Sequence, residues 1–331
     1  MIASTNVTDR YGRRIDYLRI SLTDMCNLRC VYCMPEDMRF RPSEDLLQDD
    51  EVLHLVRLFA EMGFRKFRLT GGEPLIRENV TGIVEGIVRT PGVEAVALTT
   101  NGVLLKHLSR PLQKAGLQRV NVSIDTLDPL RFRKMTRWGN LEDVLAGLDA
   151  ARQAGLGIKI NAVVVRNYND RADVVDLARL TIENPWQVRF IEVMPFGSVA
   201  DFQRSHIVSE SELRQTISEA LGPLTLLDDG RLDGEACMYR IEGAKGSLGF
   251  ISSVTKPFCA ACNRARLTPD GKLRLCLLKD RELDVLSLLR TGVSDRTIQA
   301  SISEAIWHKP WGHELARDDF PRHRVMSEIG G

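Results

Sequence analysis

LRISLTDMCNLRCVYCMP, residues 18–35, opens on a short apolar run and closes on three thiols. The run at Tyr17–Ser21 reads as a strand, and it delivers the cysteines at its carboxyl end. Cys26, Cys30 and Cys33 follow the spacing C-x3-C-x2-C, short enough for one loop to turn all three sulfurs toward one point. Converging thiolates are what an iron–sulfur cluster requires, since its irons are held by Cys. No fourth Cys lies nearby, so a four-iron cluster held here keeps one iron free of protein. Such an open position is where chemistry happens at a catalytic metal. Structural zinc completed by a His is the competing reading, because C-x2-C spacings mark zinc sites. The three-residue gap is unusual for zinc, and a disulfide framework does not suit the compartment argued below.

Outward from this loop, strands and helices alternate. A helical pattern over Asp49–Met62 stops at Gly63, and the run Lys66–Thr70 ends in Gly71-Gly72-Glu73-Pro74. Further helices are expected over 78–89, 104–115, 129–135, 141–154 and 171–182, and strands over 95–99, 119–125, 157–165 and 187–194. Helices ended by Gly and strands rich in Val and Ile, in six successive units, imply a parallel sheet with right-handed crossovers. Six units fall short of a closed eight-unit barrel, so the expected fold is α/β, a partial (β/α)6 TIM-type barrel. A doubly wound sheet is the alternative. The notable residues follow strands, where ligands collect in parallel α/β folds. The alternation breaks down near Gly222, which divides the chain into 1–221 and a smaller α+β domain over 222–331.

At 331 residues the chain is long enough for both parts and an ample core. A net charge of +1 gives no polycationic case for nucleic acid or an anionic membrane. Seven cysteines, an odd count, favour metal over disulfides and a cytoplasmic setting. The first residues, MIASTNVTDRYGRR, lack an apolar signal core, and no run of about 18 apolar residues follows.

A second cysteine set, Cys259, Cys262 and Cys276, lies in CNRARLTPDGKLRLC and its approach. Here too zinc is the competing reading, with His308, His313 or His323 as a fourth ligand. Arg264 and Arg266 alternate along an expected strand and so project from one face. Guanidinium forks beside an open cluster suit a phosphorylated ligand. Cys237 belongs to neither set and reads as an incidental thiol.

C-x3-C-x2-C with Tyr32 before the last Cys resembles the signature of the radical S-adenosylmethionine (SAM) enzymes. The flanks of the loop, CNRARL and the Gly330-Gly331 end are similar to the GTP 3′,8-cyclases of molybdenum cofactor biosynthesis, over nearly the whole chain. That resemblance implies a lyase with two [4Fe-4S] clusters, one on Cys26, Cys30 and Cys33, the other on Cys259, Cys262 and Cys276. It implies SAM contacts at Tyr32, Gly72, Ser123 and Met194. It further implies GTP contacts at Arg19, Arg68, Thr99, Lys159, Arg264 and Arg266, with Gly330 and Gly331 entering the active site. Met25 departs from it, standing where many relatives have Arg.

The implied reaction is the conversion of GTP to (8S)-3′,8-cyclo-7,8-dihydroguanosine 5′-triphosphate. A 5′-deoxyadenosyl radical made from SAM takes hydrogen from C3′ of the ribose, and the carbon radical attacks C8 of guanine. Also implied are a reducing electron donor, a homodimer, and hand-off of product to a cyclic pyranopterin monophosphate synthase. A radical SAM peptide-modifying enzyme is one rival, and it generally needs more cysteines. A non-catalytic metal-binding regulator is the other, and it makes poor use of so many strand-end motifs.

Overall fold

The computed structural model of the chain describes residues 7–230, 232, 234–313, 315 and 320–330, so Gly331 lies outside the described residues. The first six units are β1 (Tyr17–Ser21), α1 (Asp49–Met62), β2 (Lys66–Thr70), α2 (Val80–Arg89), β3 (Ala95–Thr100) and α3 (Leu105–Lys114), then β4 (Arg119–Ser123), α4 (Pro129–Thr136), α5 (Leu141–Gln153), β5 (Gly157–Val164), α6 (Ala172–Glu183) and β6 (Gln187–Glu192). They carry the alternation expected of them. Helix α1 shows why its limits are legible. Gln48 and Glu51 form a reciprocal capping box, and Gly63 ends the helix in the left-handed region at φ 108°.

After β6 come α7 (Ala200–Ser205), α8 (Glu210–Leu221), β7 (Leu224–Leu226), β8 (Cys237–Ile241), β9 (Ser247–Ile251), β10 (Arg264–Leu267), β11 (Lys272–Arg274), β12 (Glu282–Asp284), α9 (Val285–Arg290), α10 (Asp295–Trp307) and α11 (Met326–Ile329). Helix α8 lies outside the expected strand–helix units. Its signal was present in Ser209-Glu210-Ser211-Glu212, where Ser209 and Glu212 cap each other's backbone.

One twelve-stranded sheet runs β12-β11-β10-β1-β2-β3-β4-β5-β6-β9-β8-β7. Strands β1 to β6 pair in parallel in chain order. Two late strands extend that parallel stretch, β10 alongside β1 and β9 alongside β6. The partial barrel is thus continued at both edges by residues 222–331, and antiparallel hairpins finish it. Strand β9 follows β6 only after α7, α8, β7 and β8, and β10 reaches β1 from the far end of the chain, so the strand–helix rhythm did not announce them. A shared apolar core joins the parts, from Phe59, Phe67 and Phe190 of the barrel to Phe250, Ile298 and Ile306. Among the described residues no helix is long and apolar enough to cross a membrane.

Candidate active site

Strand alternation sends Arg19 and Ser21, Arg68 and Thr70, Thr99, Ser123, Asn161 and Val163 toward the inside of the curved sheet. All of them but Ser21 line one cavity, and all six cysteines of the two sets line it as well. So do Tyr32, Gly72, Met194, Arg264 and Arg266. The two cysteine sets, more than two hundred residues apart in the chain, therefore face a common space.

The first loop is held by backbone. Cys33 donates its N–H to the Cys30 carbonyl at 2.9 Å, and Arg29 and Val31 donate to Thr136 and Met135 at the end of α4. The turn after β2 locks against it: Gly72 N–H meets the Thr23 carbonyl and Glu73 N–H the Met25 carbonyl, each at 2.7 Å. A Cβ on Gly72 would lie 2.0 Å from the Met25 oxygen. Glycine here admits the neighbouring loop. Gly72→Ala is expected to push the cysteine loop outward, lowering both thermal stability and the iron retained at Cys26, Cys30 and Cys33. An unchanged melting temperature and iron content would show that the loop tolerates the methyl group.

Burial pushes the first three thiols up, Cys26 to about 11 and Cys33 to about 12, with Cys30 also well above its usual value. Dry thiols of this kind ionise when a metal takes the place of the proton. In the second set burial also raises Cys262, but Lys309 and Arg264 outweigh it and bring the thiol down to about 6. Lys309 is buried and donates to the carbonyls of Arg264 and Leu275, beside Cys276, so it ties together the two segments that carry this set. All seven cysteines are unpaired with one another. Among the described residues no three His, Cys, Asp or Glu side chains converge on a single metal ion. His308 and His323 are exposed, while His313 lines the same cavity and its ring meets the Ser253 carbonyl at 2.8 Å. Three free thiols in each set fit a cluster with one open iron.

The arginines form a row. Arg266 on β10, Arg19 on β1 and Arg68 on β2 are cross-strand partners at one level of the sheet. Neighbouring strands lie about 4.8 Å apart, and like charges placed directly opposite destabilise a sheet. Burial, with Arg19 and Arg189 next to it, lowers Arg68 to about 10 despite the opposing pull of Tyr17 and Glu235. Burial, with Arg19 and Arg264 beside it, also holds Arg266 well below its usual value. The Nε atoms of Arg19 and Arg68 and the Thr99 hydroxyl have no hydrogen-bond partner within the protein. Buried polar atoms are normally satisfied, so orphans gathered in one cavity mark a ligand's place. Thr99, Asn121 and Lys159 stand in register on β3, β4 and β5. Lys159 is partly buried and is not among the residues lining the cavity.

Several residues escaped the sequence reading. Asp125, just after β4, accepts the Tyr32 hydroxyl at 2.7 Å, and burial raises it to about 6. Glu73 accepts from Leu75, Thr100 and Asn101, and burial lifts it to about 7. Asn121 leaves both amide atoms unpaired. Glu235 bridges Arg19 and Arg264 at 2.8 and 2.9 Å. Only Asp125 carried a signal, its place two residues after Ser123 at a strand end. Gly330 reaches the ends of β1 and β2, and its carbonyl accepts from Arg266.

Residues 20–180 match the Radical SAM superfamily and residues 186–315 match Molybdenum Cofactor Synthesis C. Among solved structures, the fold is shared with SuiB of Streptococcus suis bound to S-adenosylmethionine, at TM-score 0.60 and 14% identity over 96% of this chain and 78% of that one. Methylornithine synthase (PylB) gives TM-score 0.54 and 19% identity over 91% and 88%. The GTP 3′,8-cyclase of Pelotomaculum thermopropionicum is 45% identical over 98% of this chain and 99% of its own length. That of Moorella thermoacetica is 43% identical with the same coverage. Agreement at that level spans both walls of the cavity, and the chain belongs to the GTP 3′,8-cyclase family.

Proposed function

We propose that this chain is a radical SAM lyase that converts GTP to (8S)-3′,8-cyclo-7,8-dihydroguanosine 5′-triphosphate, the first step of molybdenum cofactor biosynthesis. The observation that carries the reading is the in-register row Arg266, Arg19 and Arg68, facing the same cavity as both cysteine sets. A row of like charges is poor for stability and good for a polyphosphate, whose oxygens pair with guanidinium forks.

As a radical SAM family member the enzyme works with SAM and an iron–sulfur cluster; the count of two clusters is part of the proposal. Cys26, Cys30 and Cys33 hold the first, and Cys259, Cys262 and Cys276 the second. When bound, the first supplies the electron that splits SAM to methionine and a 5′-deoxyadenosyl radical. Everything else falls to the chain. Tyr32, Gly72, Ser123 and Met194 seat SAM, with Asp125 fixing the Tyr32 ring. Arg19, Arg68, Arg264 and Arg266 grip the triphosphate, with Thr99 and Lys159 on the facing strands, and so orient the ribose toward SAM. Holding reactants in one geometry removes most of the entropic part of a barrier. The parts 1–221 and 222–331 act as two walls of one cavity: the first binds SAM, and the second brings Arg264, Arg266 and the tail. The proposal also takes in a cytoplasmic setting, an external one-electron donor, a homodimer, and hand-off of product to a cyclic pyranopterin monophosphate synthase.

Anaerobic incubation with SAM, GTP and a reductant should yield 5′-deoxyadenosine and the cyclised nucleotide, from protein carrying about eight irons, four per cluster. About two zincs per chain and no 5′-deoxyadenosine would sink the reading. The row itself is tested by Arg68→Met. Losing a charge-assisted pair worth about 1.5–3 kcal/mol weakens GTP about ten- to a hundred-fold. Guanosine binding should be unchanged, and the ligand-free protein no less stable, since a buried and repelled charge has gone. Equal loss for both ligands would make Arg68 a structural residue.

A further inference from the structure

Glu235 is the acid that this arginine grip contains without an evident need for it. It lies just before β8, and its residue is 7% exposed. Oε1 accepts from Arg19 Nη2 at 2.8 Å, and Oε2 meets Arg264 Nη1 at 2.9 Å. Both oxygens are thus engaged, one on β1 and one on β10. The other carboxylates of the cavity are occupied elsewhere: Asp125 with Tyr32, and Glu192 with the backbone of Val254 and Thr255. Burial would raise the Glu235 carboxyl, yet Arg264, Arg19, Arg68 and Arg189 outweigh it and hold the group far below the usual carboxylate range.

We propose that Glu235 is a resident counter-anion, occupying two of the phosphate-gripping arginines until an incoming triphosphate displaces it. The inference rests on the reading of these arginines as the triphosphate grip. Guanidinium groups gathered in a dry cavity repel one another, and a carboxylate built into the chain relieves that repulsion while the site is empty. The same carboxylate then competes with the ligand. A triphosphate brings several negative charges and many oxygens, so it wins the exchange. A singly charged anion offers no more than Glu235 already gives and is turned away. Glu235 thereby sets both the affinity of the site and the least charge a ligand must carry.

Titration calorimetry of the full, anaerobically reconstituted chain with inorganic tripolyphosphate, at fixed ionic strength, tests this. Glu235→Gln keeps the shape and removes the charge, and Glu235→Ala removes the reach. Both should bind tripolyphosphate about ten- to a hundred-fold more tightly than the parent chain, the gain expected when a charge-assisted competitor is lost. Glu235→Asp, too short to span both arginines, should fall between. Unchanged or weaker binding by the Gln and Ala variants, with melting temperatures near that of the parent, would overturn the inference and make Glu235 a brace for the arginines. Should the parent chain itself fail to bind tripolyphosphate, the inference would fall together with the phosphate reading of the row. Binding by the parent without a gain in the variants removes the inference alone.

Discussion

Cys30→Ala abolishes 5′-deoxyadenosine formation, down to the background of SAM alone, and does so whether or not GTP is present. Cys30 is the middle thiol of the first set, and its sulfur contributes little to the loop's own architecture. The loop is held through the Cys30 carbonyl, which accepts from Cys33 and Met34, and through the backbone bonds of Arg29 and Val31 to Thr136 and Met135. Alanine keeps all of these. The substitution therefore removes a ligand and leaves the loop in place, and two thiolates do not hold a four-iron cluster. Iron should fall from about eight to about four per chain, with the second set still loaded. Cys237→Ala is the control, because Cys237 pairs with Phe250 in the hairpin of β8 and β9, away from both sets, and should keep full iron and full cleavage. Undiminished 5′-deoxyadenosine from the Cys30 variant would overturn the assignment of the first set.

How much of this was legible in the sequence depends on how local each feature is. The cysteine loop is contiguous, so spacing alone brought its thiols together. The six strand–helix units were legible because each helix ends in a signal of its own, as α1 does at Gly63. The arginine row is different. Alternation puts Arg264 and Arg266 on one face of β10, but it cannot say that β10 lies against β1 in the register that sets Arg266 beside Arg19. That pairing joins the two ends of the chain, and no local pattern encodes it. Glu235 and Lys309 were invisible for a related reason. Each is a lone charged residue in an irregular segment, the kind that is usually solvated, and each is buried only because distant strands close over it. The approach of the Met25 carbonyl to Gly72 is likewise a contact between two loops, which no local pattern encodes.

Gly330→Val should cut cyclisation by orders of magnitude while the iron content and melting temperature stay at the parent values. A frayed end is the ordinary state of a terminus, but residues 324–330 are tied down. Arg324 makes a two-pronged pair with Asp270 at 3.0 and 2.9 Å and a further pair with Glu282 at 2.7 Å. Ile329 is buried against Phe196 and Leu278, with Met194 packed on the same cluster. The Ser327 backbone N–H reaches the Cys33 sulfur, and the Gly330 carbonyl accepts from Arg266. The tail thus touches the first cysteine set and the arginine row within four residues. Gly330 takes φ +84°, and a Cβ there would lie 2.5 Å from the Thr70 hydroxyl and 2.9 Å from the Ser21 Cβ. A β-branched residue is a poor fit to that backbone region as well as to the space. The upstream anchors stop the tail from sliding away as a whole, so the strain falls on the last turn and draws its carbonyl off Arg266. The arginine then loses the contact that aims it, and GTP is held in the wrong place rather than lost. A valine variant that cyclises GTP at the parent rate would show the tail to be ordered but idle.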